Sequence, residues 1–346
     1  MTERRRAAIG VTVAALTVAA ICFAAFSPSD STSAPALPAQ TSAAPVPHLV
    51  ALGDSIAAGW GVGGPDHAYP ALLGARLRLP VENLAVPGAT AGSVLRDQLP
   101  RIAAAPEVVT VTVGANDVRY EQCASALFGV GGDPCTGGTY RRSLDRLARD
   151  LAQLLDRLHA RYPRARLLVS RYYDPFPVRA ADICGLDAAR FSGGGPVDRT
   201  VRRTARRLFQ DRITRGERTV FRRAAQRLTR LNATIDRVTT AHHGRVVAVD
   251  FRGHDLCAID PWVFAPDVHA RLNFRWPGPD YAEDVTYTAR LRCTEPCGSP
   301  RRFTARYNAT VGRLVVSGTF TPNGTPHPDE AGQRALADAF EARVTR

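Results

Sequence analysis

Four short stretches of this sequence hold residue types that could together carry out acyl transfer. Ser55 stands in "GDSIA", after the apolar run "HLVAL" and before the glycine-rich "AGWGV". Gly88 stands in "NLAVPGATAG", Asn116 in "VTVGAND" and His327 in "TPNGTPHPDEAGQ". Acyl transfer needs a nucleophile, a base to take its proton, and donors for the oxyanion. A serine at a strand-to-turn corner suits the first role, because a following helix can aim backbone N–H groups at an anion there. Glycine has no side chain, so its N–H can come close to a ligand. The Asn116 amide is a donor of the second kind. Of the eight histidines, only His327 sits in a polar turn directly before a helix. Pro326 and Pro328 restrict the backbone on either side of it. Taken singly, each residue has an ordinary use: a capping serine, a turn glycine, an Asx turn, a surface histidine.

The elements that must position them can be read from periodicity. Short apolar runs alternate with helical patterns from His48 onward. "HLVALGDS", "VENLAV", "EVVTVTVGAND", "ARLLVSRYY" and "RVVAVDF" read as strands. "YPALLGARL" from Tyr69, "SVLRDQL" from Ser93, residues 140–162 and "RRAAQRLTRLNATIDRVTTAH" read as helices. Leu144, Leu147, Leu151, Leu154, Leu155 and Leu158 share one helical face, and Leu228, Leu231 and Ile235 share another. A last helix is expected to start near Asp329. Strands alternating with crossover helices imply a parallel sheet with helices on both faces. Ligands in such sheets sit beyond the carboxyl ends of the strands. Three strands run into "GDS", "PGAT" and "GAND", so these turns are expected at one edge. Two segments break the alternation. Residues 119–139 read as a Gly-rich loop bracketed by Cys123 and Cys135. Residues 265–320 contain "DVTYTARLRC" and "RRFTARYNATVGRLVVSG", which read as a β-hairpin insertion.

The chain has 346 residues and a formal net charge of +13. Every basic residue is Arg, which together with abundant Ala looks like the codon bias of a GC-rich genome. Twelve Arg in residues 199–230 read as solvated helix surface, or as contact with an anionic membrane or cell-wall surface. Neither metal-finger spacing nor an aromatic RNA-binding signature is present, so no nucleic-acid partner is expected. Arg4, Arg5 and Arg6 precede an apolar run at 7–26, a pattern that reads as export. Residues 1–26 are a cleaved signal peptide or a retained membrane anchor, and both stay open. Residues 27–47, rich in Ser, Ala and Pro, read as a disordered linker. The folded domain then spans 48–346, secreted or held on the outer face of the cytoplasmic membrane. Of the seven cysteines, six lie outside the leader, which suits three disulfides. Sequence proximity favours Cys123–Cys135, Cys184–Cys257 and Cys293–Cys297.

With "GDS" first, then the glycine of "PGAT", then "GAND", then "HP" ahead of the final helix, the chain resembles the SGNH hydrolases, also called GDSL-type esterases and lipases. The resemblance runs from about His48 to the end. "RYYDPFP" at 171–177 and "FRGHDLCAIDPWV" at 251–263 also look like the secreted actinobacterial branch, whose members carry three disulfides. The resemblance implies a flavodoxin-like three-layer α/β/α fold around a parallel sheet. It implies ester hydrolysis with no metal and no cofactor. Ser55 would attack the ester and His327 would take its proton. The Ser55 N–H, the Gly88 N–H and the Asn116 side chain would hold the oxyanion. One position departs from the pattern. The family's usual acid is an Asp three residues before the histidine, and here Gly324 stands there. A backbone carbonyl, most simply that of Gly324, is expected to accept the His327 Nδ1–H. Asp329 and Asp255 are the alternatives. A neutral carbonyl fixes the tautomer but stabilises imidazolium less than a carboxylate does. Asp54 is expected to brace its turn through backbone hydrogen bonds, and His254 to be structural. The leading reading is an exported, monomeric esterase or lipase acting on small-molecule or lipid esters. An acyltransferase or carbohydrate deacetylase on the same scaffold is one alternative. A non-catalytic cell-surface binding domain is another, favoured by the missing Asp alone.

Overall fold

The computed structural model describes residues 48–127, 135, 137–175, 222–256, 258, 260–264, 267–275, 281–287, 300–309, 312–321 and 326–345. All of them belong to the unit Pro45–Arg346. The expected leader and linker therefore lie outside the described residues. So do Gly324, Cys184, Cys257, Cys293 and Cys297.

Five parallel strands form the centre: β1 (Leu49–Gly53), β2 (Val81–Asn83), β3 (Val108–Thr112), β4 (Arg166–Ser170) and β5 (Arg245–Val247). Their order is β2-β1-β3-β4-β5, the flavodoxin-like winding. Every residue of β1 and β3 is buried, as near-continuous apolar runs require when a strand is covered on both faces. Gly53 pairs with Thr112, so β1 and β3 end level and release their turns at one edge. A polar layer lies just inside that edge. Thr112 Oγ1 is 2.9 Å from Ser170 Oγ and 2.9 Å from the Tyr69 hydroxyl, which leaves no buried hydroxyl there without a partner.

The helices follow the apolar stripes. α1 (Tyr69–Leu77) packs on α6 (Glu330–Val344), with the Tyr69 ring stacked on Phe340 at 4.6 Å. Asp329 caps α6 by accepting from Gly332 N at 2.8 Å. α2 (Ala91–Ser93) opens with a Thr90–Ser93 capping box and runs on into a π turn at Val94–Gln98. α4 (Gly137–Arg161) buries Leu147, Leu151, Leu154, Leu155 and Leu158 completely, each worth about 2 kcal/mol of gross burial. α5 (222–241) buries Leu228, Leu231 and Ile235. The Tyr140 hydroxyl donates to the Arg227 carbonyl at 2.6 Å and ties α4 to α5.

Two expectations need correction. The Cys-bracketed segment is not simply a loop, because it opens with α3 (Tyr120–Leu127). Cys123 on that helix is disulfide-bonded to Cys135. The single hairpin insertion is instead two hairpins. β6 (Asp267–Arg275) pairs with β7 (Tyr281–Tyr287), and β8 (Arg301–Ala309) pairs with β9 (Gly312–Thr321). Joining β6 to β9 makes a four-stranded antiparallel sheet in the order β7-β6-β9-β8. A lone two-stranded ribbon is marginal in water, and four strands can support one another.

Candidate active site

Ser55 lies on a turn that the sheet edge holds from several sides. Gly53 N–H donates to Gln98 Oε1, and Gln98 Nε2 donates back to the Gly53 carbonyl, both at 2.8 Å. Gln98 comes from the π turn after α2, so a helix on one face fixes the end of β1. Asp54 N–H donates to the Thr112 carbonyl at 2.9 Å. Gly53 cannot carry a side chain: its φ is +139°, and a Cβ would stand 2.2 Å from the Thr112 carbonyl oxygen. These constraints set the direction in which the next two residues leave the strand. Asp54 turns inward and is buried, whereas Ser55 is half-buried at the mouth of a cleft.

The other two turns meet it there. The cleft, about 270 Å³, is lined by Ser55, Gly88, Asn116 and His327 together with Tyr120, Glu121, Tyr172 and Tyr173. Gly88 has φ +82°, and a Cβ added to it would project into open space. It therefore exposes bare backbone to the cleft, in a conformation that favours glycine. Asn116 Nδ2 donates to the Ala89 carbonyl at 3.0 Å, and the Asp117 carboxylate accepts from Ala91 N at 3.1 Å. The "GAND" turn thus grips the "PGAT" turn twice. The first of these bonds also fixes which way the Asn116 amide faces, since a flipped amide would set oxygen against oxygen.

His327 arrives from the opposite end of the chain, and its backbone is pinned on both sides. Phe264 N–H donates to the His327 carbonyl and Asp329 N–H to the Trp262 carbonyl, each at 3.0 Å. The Tyr173 hydroxyl donates to the Pro326 carbonyl at 2.7 Å. Trp262 is itself stacked on His254, ring centroids 3.7 Å apart, which gives His254 a bracing place. The result is a short contact: Ser55 Oγ lies 2.7 Å from His327 Nε2. Trp60 packs its ring on the imidazole at 4.4 Å. A serine oxygen held this way can pass its proton to the ring as it attacks an electrophile.

Asp329 spends its carboxylate on the α6 cap, and Asp255 does not line the cleft. Among the described residues, a carboxylate that sequence reading missed stands near the imidazole. Glu121 Oε1 stands 3.6 Å from His327 Nδ1. Among the described residues, no cluster of three or more His, Cys, Asp or Glu is placed to hold a metal ion.

Asp54 accepts from Ile56 N at 3.0 Å and from the Tyr172 hydroxyl at 2.5 Å. Tyr172 in turn accepts from Ala115 N at 3.1 Å, so one buried carboxyl links all of β1, β3 and β4. Burial pushes this carboxyl up to about 7, against both hydrogen bonds, which favour its ionised form. An Asp in the unfolded chain titrates near 4. Between about pH 4 and about 7 the folded protein therefore keeps a proton that the unfolded chain has already released. The resulting stabilisation is complete below about pH 4 and is lost as pH rises through about 7. Asp54→Asn abolishes the titration. From about pH 5 to 8, the Tm of the natural protein is expected to fall by several degrees relative to that of the variant. Parallel curves of Tm against pH would contradict this.

The family model described as GDSL-like lipase/acylhydrolase matches residues 51–271. An extracellular lipase from Streptomyces rimosus superposes with a TM-score of 0.52 at 19% identity, covering 86% of this chain and 99% of that one. At that identity the likeness concerns the fold. Phospholipase A1 from Streptomyces albidoflavus gives a TM-score of 0.49 at 18% identity, covering 87% and 98% of the two chains. A carbohydrate esterase family 2 enzyme from Myceliophthora fergusii gives 0.41 at 12%, covering 87% and 67%. No individual curated protein sequence matches the chain. The family match spans well over half of the sequence and takes in the "GDS", "PGAT" and "GAND" turns: this chain belongs to the GDSL-like lipase/acylhydrolase family.

Proposed function

We propose that the protein is a serine esterase that cleaves carboxylic esters through an acyl-enzyme on Ser55. The observation that carries this reading is the 2.7 Å contact between Ser55 Oγ and His327 Nε2. Ser55 Oγ attacks the ester carbonyl while His327 Nε2 takes its proton. The tetrahedral oxyanion is held by the Ser55 N–H, the Gly88 N–H and the second N–H of the Asn116 amide. Collapse of the intermediate breaks the ester C–O bond, and His327 returns the proton to the leaving alcohol. Water then attacks the acyl-enzyme by the same route and regenerates Ser55. No step calls for a metal or a cofactor. Export of the enzyme is part of the proposal and is supported by the Arg4–Arg5–Arg6 and apolar 7–26 pattern.

Ile56, Leu228, Pro175, Tyr172 and Tyr173 give the cleft apolar walls beside the polar turn groups, which suits an acyl chain longer than acetyl. A series of p-nitrophenyl esters from acetate to dodecanoate, run beside acetate release from an acetylated oligosaccharide, tests this. Turnover extending past butyrate is the expected outcome. Acetyl esters alone would favour a carbohydrate deacetylase. Absence of turnover on every ester would favour the non-catalytic binding domain.

A further inference from the structure

We propose that Glu121 is a positioning residue for His327, supplying from α3 the negative charge that Gly324 does not. This rests on the esterase reading only in taking His327 as the base. The Glu121 Oε1 to His327 Nδ1 separation of 3.6 Å exceeds a hydrogen bond. The carboxylate therefore acts through its field: it favours the imidazolium that forms while Ser55 attacks, and does not select the tautomer.

The way α3 is held keeps the Glu121 backbone beside His327. Arg119 adopts φ +54°, a left-handed turn that swings the chain out of "GAND" directly into the helix. Tyr120 N–H donates to the Ala115 carbonyl and Cys123 N–H to the Arg119 carbonyl, at 2.9 and 3.0 Å. Two residues beyond Glu121, Cys123 is tied to Cys135, and Arg227 from α5 donates to the Cys123 carbonyl at 2.9 Å. The side chain itself remains 58% exposed. Its charge is thus cheap to keep, and salt can screen it.

Among the described residues that line the cleft or flank His327, the other charged groups are hydrogen-bonded elsewhere or opposite in sign. Asp54 is bonded to Tyr172 and Ile56, Asp117 to Ala91 N, and Asp329 to Gly332 N. Arg119 lines the same cleft and carries positive charge. Tyr173 uses its hydroxyl on Pro326.

The test follows the His327 ring signals by NMR against pH, in the natural protein and in Glu121→Gln. A carboxylate beside an imidazole favours its charged form, so removing the charge moves the ring's titration to lower pH. A displacement of about half a pH unit is expected at low ionic strength, vanishing near 1 M salt. Turnover of a soluble ester should fall several-fold in kcat with KM unchanged, while Tm stays constant. Superimposed titrations would overturn the inference even in an active esterase. So would a drop in kcat without displacement of the titration, which marks a merely structural effect. Displacement in a protein that cleaves no ester would uphold the inference and remove the esterase reading.

Discussion

Ser55→Ala is expected to lower kcat for ester hydrolysis by about four orders of magnitude, with little change in Tm. The hydroxyl is half-buried, and the contact the structure gives it is the one to His327. Removing it deletes no bond of the scaffold, because the Ser55 carbonyl still accepts from Trp60 N. The Gly53–Gln98 clamp and the Asp54–Tyr172 bond do not involve the Ser55 side chain. His327→Ala should cost a similar factor, since either loss leaves no activated oxygen. Residues that act as one unit do not add, so the double variant should be about as slow as either single one. What activity persists would come from the Gly88 and Asn116 donors acting on bound water and ester. Single-turnover and steady-state rates on one p-nitrophenyl ester, with Tm in parallel, decide the matter. If Ser55→Ala kept more than about a tenth of the natural rate, the acyl-enzyme mechanism would be wrong.

The fold was legible because its central strands are covered on both faces. "LVAL" and "VVTV" leave no alternative to burial, and the glycines that end them mark the edge. The leucine stripe of α4 and the start of the last helix near Asp329 were visible for the same kind of local reason. Pairings set by tertiary packing were not. Gln98 reads as one more polar residue on an amphipathic turn, yet it grips both backbone groups of Gly53. Glu121 reads as a loop residue, because Gly-rich sequence follows "YEQCASAL" and hides a helix of eight residues. Its approach to His327 depends on a disulfide and a left-handed Arg119, neither of which has a periodic signature. β6 was different. "DVHARLNFR" alternates apolar and polar residues as a strand should, and only its partner β9, some 40 residues on, shows that it belongs to a sheet. The expected role of the Gly324 carbonyl falls outside the described residues, while the carboxylate found near Nδ1 comes from α3 and lines the cleft.

Asn116→Ala is expected to cut kcat by about two to three orders of magnitude while KM moves little. The amide has two N–H bonds. One is spent on the Ala89 carbonyl at 3.0 Å, and this leaves the other for the oxyanion in the cleft that Asn116 lines with Ser55 and Gly88. A donor held in place before the reaction costs no reorganisation when charge develops, which is why its loss appears in kcat. The stability cost should be small by comparison, about 1 kcal/mol for one hydrogen bond on a half-buried turn. Asp117 still grips Ala91 N, so the "GAND" and "PGAT" turns remain joined. Asn116→Asp should be slower than Asn116→Ala despite its closer shape. A carboxylate would face the Ala89 carbonyl on one side and repel the oxyanion on the other, so it replaces a donor with a like charge. Measuring kcat and KM separately for the two variants distinguishes this role from simple substrate binding. A rise in KM at unchanged kcat would mean that Asn116 holds the ground-state ester. An Asp variant faster than the Ala variant would show that shape at this position matters more than the sign of the charge.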